Sequence, residues 1–155
     1  MKIVFYPDEG LNHPCEQVNE FNSSLISLIN DMAKTMYEEK GVGLAAPQVG
    51  VNKRVLVMDP TCGESPDQLR ALINPKITWY SQDKVVAKEG CLSIPGVIVN
   101  VPRSCAIDVE YHDTNGQMRN TTFTGFSARI IQHEIDHLDG VLMLKHVYNQ
   151  TQTLW

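Results

Sequence analysis

The sequence predicts an α+β domain. Three observations carry this: an amphipathic helical segment near the start, a middle of short β-like runs, and a late helix apolar on more than one side. The 155 residues fit one domain over 1–155, long enough to bury a sizeable core.

The first segment covers residues 23–39, where Leu25, Leu28, Ile29, Met32 and Met36 recur at spacings of three and four. Asn22, Ser23 and Ser24 offer N-cap side chains, and Gly41 is placed to stop the helix. Residues 54–58, 71–74, 77–80, 84–87, 97–101 and 106–111 then read as strands, separated by Pro, Gly and Asp. Asn115-Gly116 is the strongest turn signal and predicts a β-hairpin over 106–124. A second helix is expected over 125–138, before Asp139-Gly140. Phe126, Ile130, Ile131, Ile135 and Leu138 spread around it, so it belongs inside the molecule.

Thirteen Lys and Arg against eighteen Asp and Glu leave a net charge of −5, which argues against a general nucleic-acid binder. The N-terminal apolar run ends at Pro7-Asp8, too short for a signal-peptide core, and no stretch approaches the length of a bilayer span. A soluble, cytoplasmic protein with no nucleic-acid or membrane partner is therefore expected. Cys15, Cys62 and Cys105 are read as reduced, packed thiols.

The late helix carries Gln132-His133-Glu134-Ile135-Asp136-His137, which contains H-E-x-x-H. Residues at i and i+4 share a helix face, so His133 and His137 can hold one metal together. Glu134, beside the first ligand, can reach a water as a general base. The bland alternative is a chance match on a solvated helix. Burying these polar groups in apolar surroundings without a purpose is costly, which favours the metal. Catalytic sites usually take three protein ligands and keep one position open, and no third ligand follows His137 at metzincin spacing. Cys91, between Gly90 and the Pro95-Gly96 turn, is the best candidate for the third. Alone it reads equally as a packed thiol. A thiolate beside two imidazoles would suit iron(II) or zinc.

The segment Gly41-Val42-Gly43-Leu44-Ala45-Ala46-Pro47-Gln48-Val49-Gly50 lacks the Gly-Lys-Ser/Thr ending of a phosphate-binding loop. Its small residues suggest close approach to another strand or to a bound peptide. Gln48 reads equally as a surface amide or as an oriented donor for a developing oxyanion.

Taken in order, the segments Gly41 to Gln48, Glu89-Gly90-Cys91-Leu92-Ser93 and Gln132 to His137 resemble the three signature motifs of peptide deformylases. The resemblance runs over nearly the whole chain. It implies antiparallel or mixed sheets wrapped around the central helix that carries H-E-x-x-H. It also implies hydrolysis of the N-formyl group from formyl-methionine at the head of newly synthesised polypeptides, with release of formate. One divalent metal per chain is implied, held by Cys91, His133 and His137: iron(II) in the cell, with zinc(II), nickel(II) or cobalt(II) able to take its place. Glu134 is implied as general acid/base, with the Gln48 amide and the Leu92 backbone N–H stabilising the oxyanion. Backbone groups of Val42, Gly43 and Gly90 are expected to pair with the substrate main chain. Ala87, Phe126, Ile130 and Val42 are expected to form the pocket for the methionine side chain. Glu89 and Arg103 resemble the pair that fixes the Cys91 loop, against the alternative of a plain surface ion pair. The implied partners are N-formylmethionyl nascent chains, met by a monomeric enzyme.

Three features depart from the family pattern. Arg129 stands in the substrate pocket where an apolar residue is usual. Two readings are open: its stem lines the wall while its head snorkels outward, or it alters side-chain preference. Ile98 stands where many bacterial relatives have an arginine that contacts substrate backbone, so weaker binding of longer peptides is expected. The chain ends at Leu154-Trp155, soon after the metal helix, which resembles bacteriophage-type members. Ribosome docking through a C-terminal helix is not expected. Two rival classes are another H-E-x-x-H metallopeptidase and a non-catalytic metal-binding module, although a closed structural site needs four ligands. His13, His112 and His146 are assigned no role.

Overall fold

The computed structural model describes residues 1–147. Helix α1 (Ser23–Glu38) starts where the Asn22 side-chain oxygen accepts from the Leu25 N–H at 3.1 Å. Its stripe of Leu25, Ile29, Met32 and Met36 is buried, as the spacing predicts. Gly41 does not reverse the chain. Lys40 takes the left-handed conformation (φ 57°), and the Lys40 and Gly41 N–H groups donate to Tyr37 O and Met36 O. Glycine is needed at 41 for packing, since a Cβ there would lie 2.9 Å from Leu92 Cδ1.

The strands are β1 (Gly43–Ala45), β2 (Val55–Met58), β3 (Arg70–Tyr80), β4 (Lys84–Cys91), β5 (Ile94–Ser104), β6 (Ala106–His112) and β7 (Met118–Thr124). They form an antiparallel sheet in the order β1-β2-β3-β6-β7 and a separate β4–β5 hairpin. Strand β1 was not among the expected strands. Its small residues carry little strand propensity, and its conformation comes from pairing with β2, Leu44 opposite Val57. The two runs at 71–74 and 77–80 are one strand with an irregular register. At the break Asn74 (φ 53°) accepts from Val18 N–H and donates to Val18 O through its side chain. Strands β4 and β5 run further than periodicity suggests, closing at Cys91 opposite Ile94. The β6–β7 hairpin matches the expected span, from Ala106 opposite Thr124 to His112 opposite Met118.

Helix α2 (Gly125–Leu138) packs across β1, β2 and β6, burying Ala128, Ile131 and Leu138 against Leu56, Leu72 and Ile107. Burial of each such Leu or Ile contributes about 1.5–3 kcal/mol. Gln132 is buried but fully engaged: it accepts from Ser104 N–H and donates to Ser104 O, tying α2 to the end of β5. These contacts hold the central helix between the sheet and the hairpin. No helix of the described residues is long and apolar enough to cross a membrane. The expectation of no C-terminal docking helix concerns residues 148–155, outside the described ones.

Candidate metal centre and substrate cleft

One face of α2 presents His133 and His137, their ring centroids 5.0 Å apart. The tip of the β4–β5 hairpin brings in Cys91, whose Sγ lies 3.3 Å from His137 Nε2. The donor atoms of Cys91, His133 and His137 all fall within 4.8 Å of one another. The donor set is one thiol and two imidazoles, which fits a single divalent ion of borderline softness. The two imidazoles sit in opposed surroundings. Burial opposes charge on His133, yet the facing Glu134, Cys91 and Glu89 raise it to about 10. Burial and the neighbouring His133 push His137 well below its ordinary value.

His133 is oriented from behind. Its Nδ1 lies 2.9 Å from Glu89 Oε1, a buried carboxylate on β4. Arg103 donates to both Glu89 oxygens at 2.9 and 3.0 Å and to Asp136 at 2.6 Å. Burial alone would raise the Glu89 carboxyl; the His133 and Arg103 hydrogen bonds hold it down to about 2. The Glu89–Arg103 pair is thus present but is no surface ion pair. Arg129 completes the network, and here the reading of an outward-pointing head is corrected. Its guanidinium is buried and donates to Glu89, Val101 O and Val85 O, because this internal carboxylate and two carbonyls replace the water it would otherwise seek.

Glu134 sits beside the cluster, buried, with no partner for Oε1 among the described residues. Burial raises its carboxyl to about 7, the His133 charge offsetting part of the effect. Gln48 follows β1 on a short 3-10 turn (Ala46–Val49). Its Oε1 accepts from Ala45 N–H at 2.9 Å, which aims Nε2 at Ser93 Oγ (3.1 Å) and Cys91 Sγ (3.6 Å). Gln48 is therefore a buried, oriented amide rather than a surface one.

These groups lie in a cavity of about 600 Å³, within the range of small-ligand sites. Val42, Gly43, Gly90, Leu92, Phe126, Arg129 and Ile130 line it with Gln48, Cys91, His133 and Glu134. Ala87 does not. It shares the α2-facing side of β4 with Glu89 and Cys91 but lies four residues, about 13 Å, back from Cys91 along the strand, opposite Val101. The Val42 carbonyl accepts from Asp59 N–H, which leaves Gly43 to present backbone at the outer edge of β1. β1 is the edge strand of its sheet and, among the described residues, β4 pairs with β5 alone, so two open strand edges flank the cleft.

Some contributors, Ser93, Ile3 and Phe5 among them, are not evident from sequence. Ser93, which holds the Gln48 amide, was legible only as a polar residue between Leu92 and Ile94. Ile3 and Phe5 also line the cavity, though the N-terminal apolar run gave no hint of a site.

The family model described as Polypeptide deformylase matches residues 1–153. A peptide deformylase of Thermodesulfovibrio yellowstonii is 44% identical over 147 residues, 95% of this chain and 88% of the relative. The crystal structure of peptide deformylase from Plasmodium falciparum superposes with a TM-score of 0.94 at 38% identity, covering 99% of this chain and 89% of that one. A peptide deformylase from Synechococcus elongatus, solved in complex with actinonin, gives a TM-score of 0.93 at 40% identity, with 97% and 82% covered.

Proposed function

This chain belongs to the peptide deformylase family, and from that premise we propose how its cleft removes the formyl group from N-formylmethionyl nascent peptides. The enzyme is a metal-dependent hydrolase that releases formate and a free N-terminal amine. The observation that carries the assignment of roles is the Cys91–His133–His137 cluster beside the Glu134 carboxylate, whose Oε1 has no partner among the described residues, in a cleft flanked by two open strand edges.

Cys91, His133 and His137 would hold one divalent ion, and the thiolate–imidazole set suits iron(II), with zinc, nickel or cobalt able to replace it. When bound, the ion supplies Lewis acidity that makes water a nucleophile near neutral pH and polarises the formyl carbonyl. Glu134 takes the proton of the attacking water on its carboxylate and later delivers it to the departing nitrogen. The Gln48 amide and the Leu92 N–H donate to the oxygen of the tetrahedral intermediate, each such donor contributing about 3 kcal/mol. Gly43 and Gly90 supply backbone groups to an extended peptide lying between β1 and β4, in the manner of an added strand. Phe126, Ile130 and the stem of Arg129 receive the methionine side chain. The same reading takes the enzyme to act as a monomer in the cytoplasm, without nucleic acid.

The test is formate release from formyl-Met-Ala-Ser by protein purified without oxygen and loaded with iron(II) or nickel(II). Formate equal to the free amine produced, with no internal peptide cleavage, is the expected result. No formate from protein carrying one metal per chain would sink the assignment.

Gly43→Ala is expected to lower kcat/KM by about 10² or more, because a small displacement of a reacting group carries that cost. A Cβ there would lie 2.6 Å from Glu134 Oε2 and 2.8 Å from Ile130 Cγ2. Steady-state kinetics alongside a melting curve check it; full activity would mean that Glu134 does not act from this position.

A further inference from the structure

Strand β2 ends at Met58, and the next residue, Asp59, is fully buried. Its carboxylate forms no ion pair among the described residues. Hydrogen-bond donors take the place of water instead. Oδ2 accepts from the Tyr37 hydroxyl at 2.7 Å and the Gly63 N–H at 3.0 Å. Oδ1 accepts from the Thr61 N–H at 2.8 Å and the Thr61 hydroxyl at 2.7 Å. Burial alone would raise this carboxyl; the hydrogen bonds from Tyr37, Thr61 and Gly63 hold it below its ordinary value. A turn by itself needs less, since Asn or Ser closes one without burying a charge.

The carboxylate knots three segments together. Tyr37 stands in the last turn of α1, Thr61 and Gly63 belong to the loop after β2, and the loop in turn grips the wall of the cleft. The Asp59 N–H donates to Val42 O at 2.8 Å, and the Cys62 thiol donates to Gly41 O at 3.4 Å. Cys62 is left-handed (φ 52°), a conformation that a residue with a side chain keeps only where its surroundings hold it. Gly41, Val42 and Gly43 all line the cleft, whereas Asp59 does not.

We propose that Asp59 is a positioning residue for the reaction: by closing the 59–63 loop onto Tyr37 it fixes the Val42 carbonyl, and with it the Gly43 edge on which the peptide main chain lies. This rests on the reading of the cleft as the receiver of an extended formyl peptide. Pairing with β2 holds Gly43 to Ala45 from one side, opposite Met58 to Leu56, but the chain before Gly43 depends on the loop. The metal ligands stand on β4 and α2, away from this attachment. Loosening the loop therefore costs main-chain recognition and leaves the metal in place.

The experiment compares kcat/KM for formyl-Met-Ala-Ser and for formyl-methionine amide, which has no main chain beyond methionine. Wild type, Asp59→Asn and Tyr37→Phe are used, all metal-loaded. Asn keeps the size of Asp59 but presents an NH2 group to donors that require an acceptor. Asp59→Asn is expected to cut the tripeptide's advantage over the amide about tenfold, mainly through KM, the scale of one main-chain hydrogen bond. Tyr37→Phe removes one donor and leaves the charge, and is expected to cut the advantage about threefold. It carries the test alone if Asp59→Asn does not fold. Because each ratio is taken within one preparation, altered folding or metal content cancels. No tripeptide advantage in wild type, equal losses on both substrates, or an undiminished advantage in either folded variant would each overturn the positioning role. No formate from wild type with either substrate would overturn the deformylase reading itself, and the positioning role with it.

Discussion

Replacing Glu134 by Gln is expected to lower kcat/KM for formyl-Met-Ala-Ser by about a thousandfold while the metal stays bound. General acid/base groups contribute on the order of 10²–10⁴. The substitution keeps the side chain's volume and removes its capacity to take a proton. Glu134 makes no hydrogen bond through Oε1 among the described residues and supports no ion pair, so the fold loses little with it. Burial already disfavours its charged form, and removing a buried carboxylate is expected to leave the melting temperature unchanged or raised. Formate release, metal content and a thermal melt on the same preparation give the result. Activity above a tenth of wild type with full metal would remove Glu134 from the proton-transfer role.

The second large effect is expected at Glu89, through stability and metal retention together. Glu89→Gln takes the negative charge from between Arg103, Arg129 and His133, all buried. Breaking a buried pair by removing one partner typically costs about 3–5 kcal/mol, because the remaining charge stays desolvated. Arg103 keeps Asp136, whereas among the described residues Arg129 keeps only the carbonyls of Val85 and Val101. The loss therefore falls mostly on the attachment of the hairpin to α2. His133 also loses the carboxylate that orients its ring, and such outer partners are worth about 10- to 100-fold in metal affinity. Urea unfolding and chelator competition measure the two parts separately. A variant within 1 kcal/mol of wild type that holds its metal equally well would show the network to be incidental.

Much of the site was legible because it is local. His133, Glu134 and His137 lie on one helix, and an i, i+4 spacing puts both rings on one face wherever that helix sits. The Asn22 cap, the stripe of α1 and the Asn115-Gly116 hairpin are local in the same sense. Cys91 and Gln48 were ambiguous as residues: a thiol near a turn and an amide after small residues each had a bland reading. Only the resemblance of three ordered segments resolved them in advance.

Arg129 shows what stays hidden. Its position on α2 was plain, but the direction of its head depends on Glu89, 40 residues away, and on two carbonyls of a hairpin whose strands were underestimated. The extents of β3, β4 and β5 were misjudged for a related reason: strand length is set by partners across the ladder, and no window of sequence contains both sides of a pair.

The sequence by itself determined the α+β class, the helix that carries the ligands and, through its three motifs, the family. Those properties follow from short-range spacing and from residue chemistry that survives any packing. The tertiary structure alone decided that Gly41 answers to Leu92 rather than to the helix end, that Ala87 lies outside the cavity, that Arg129 turns inward, and that Asp59 reaches across to Val42. Each of these depends on which atoms stand across a gap, and that is set when distant segments close on one another.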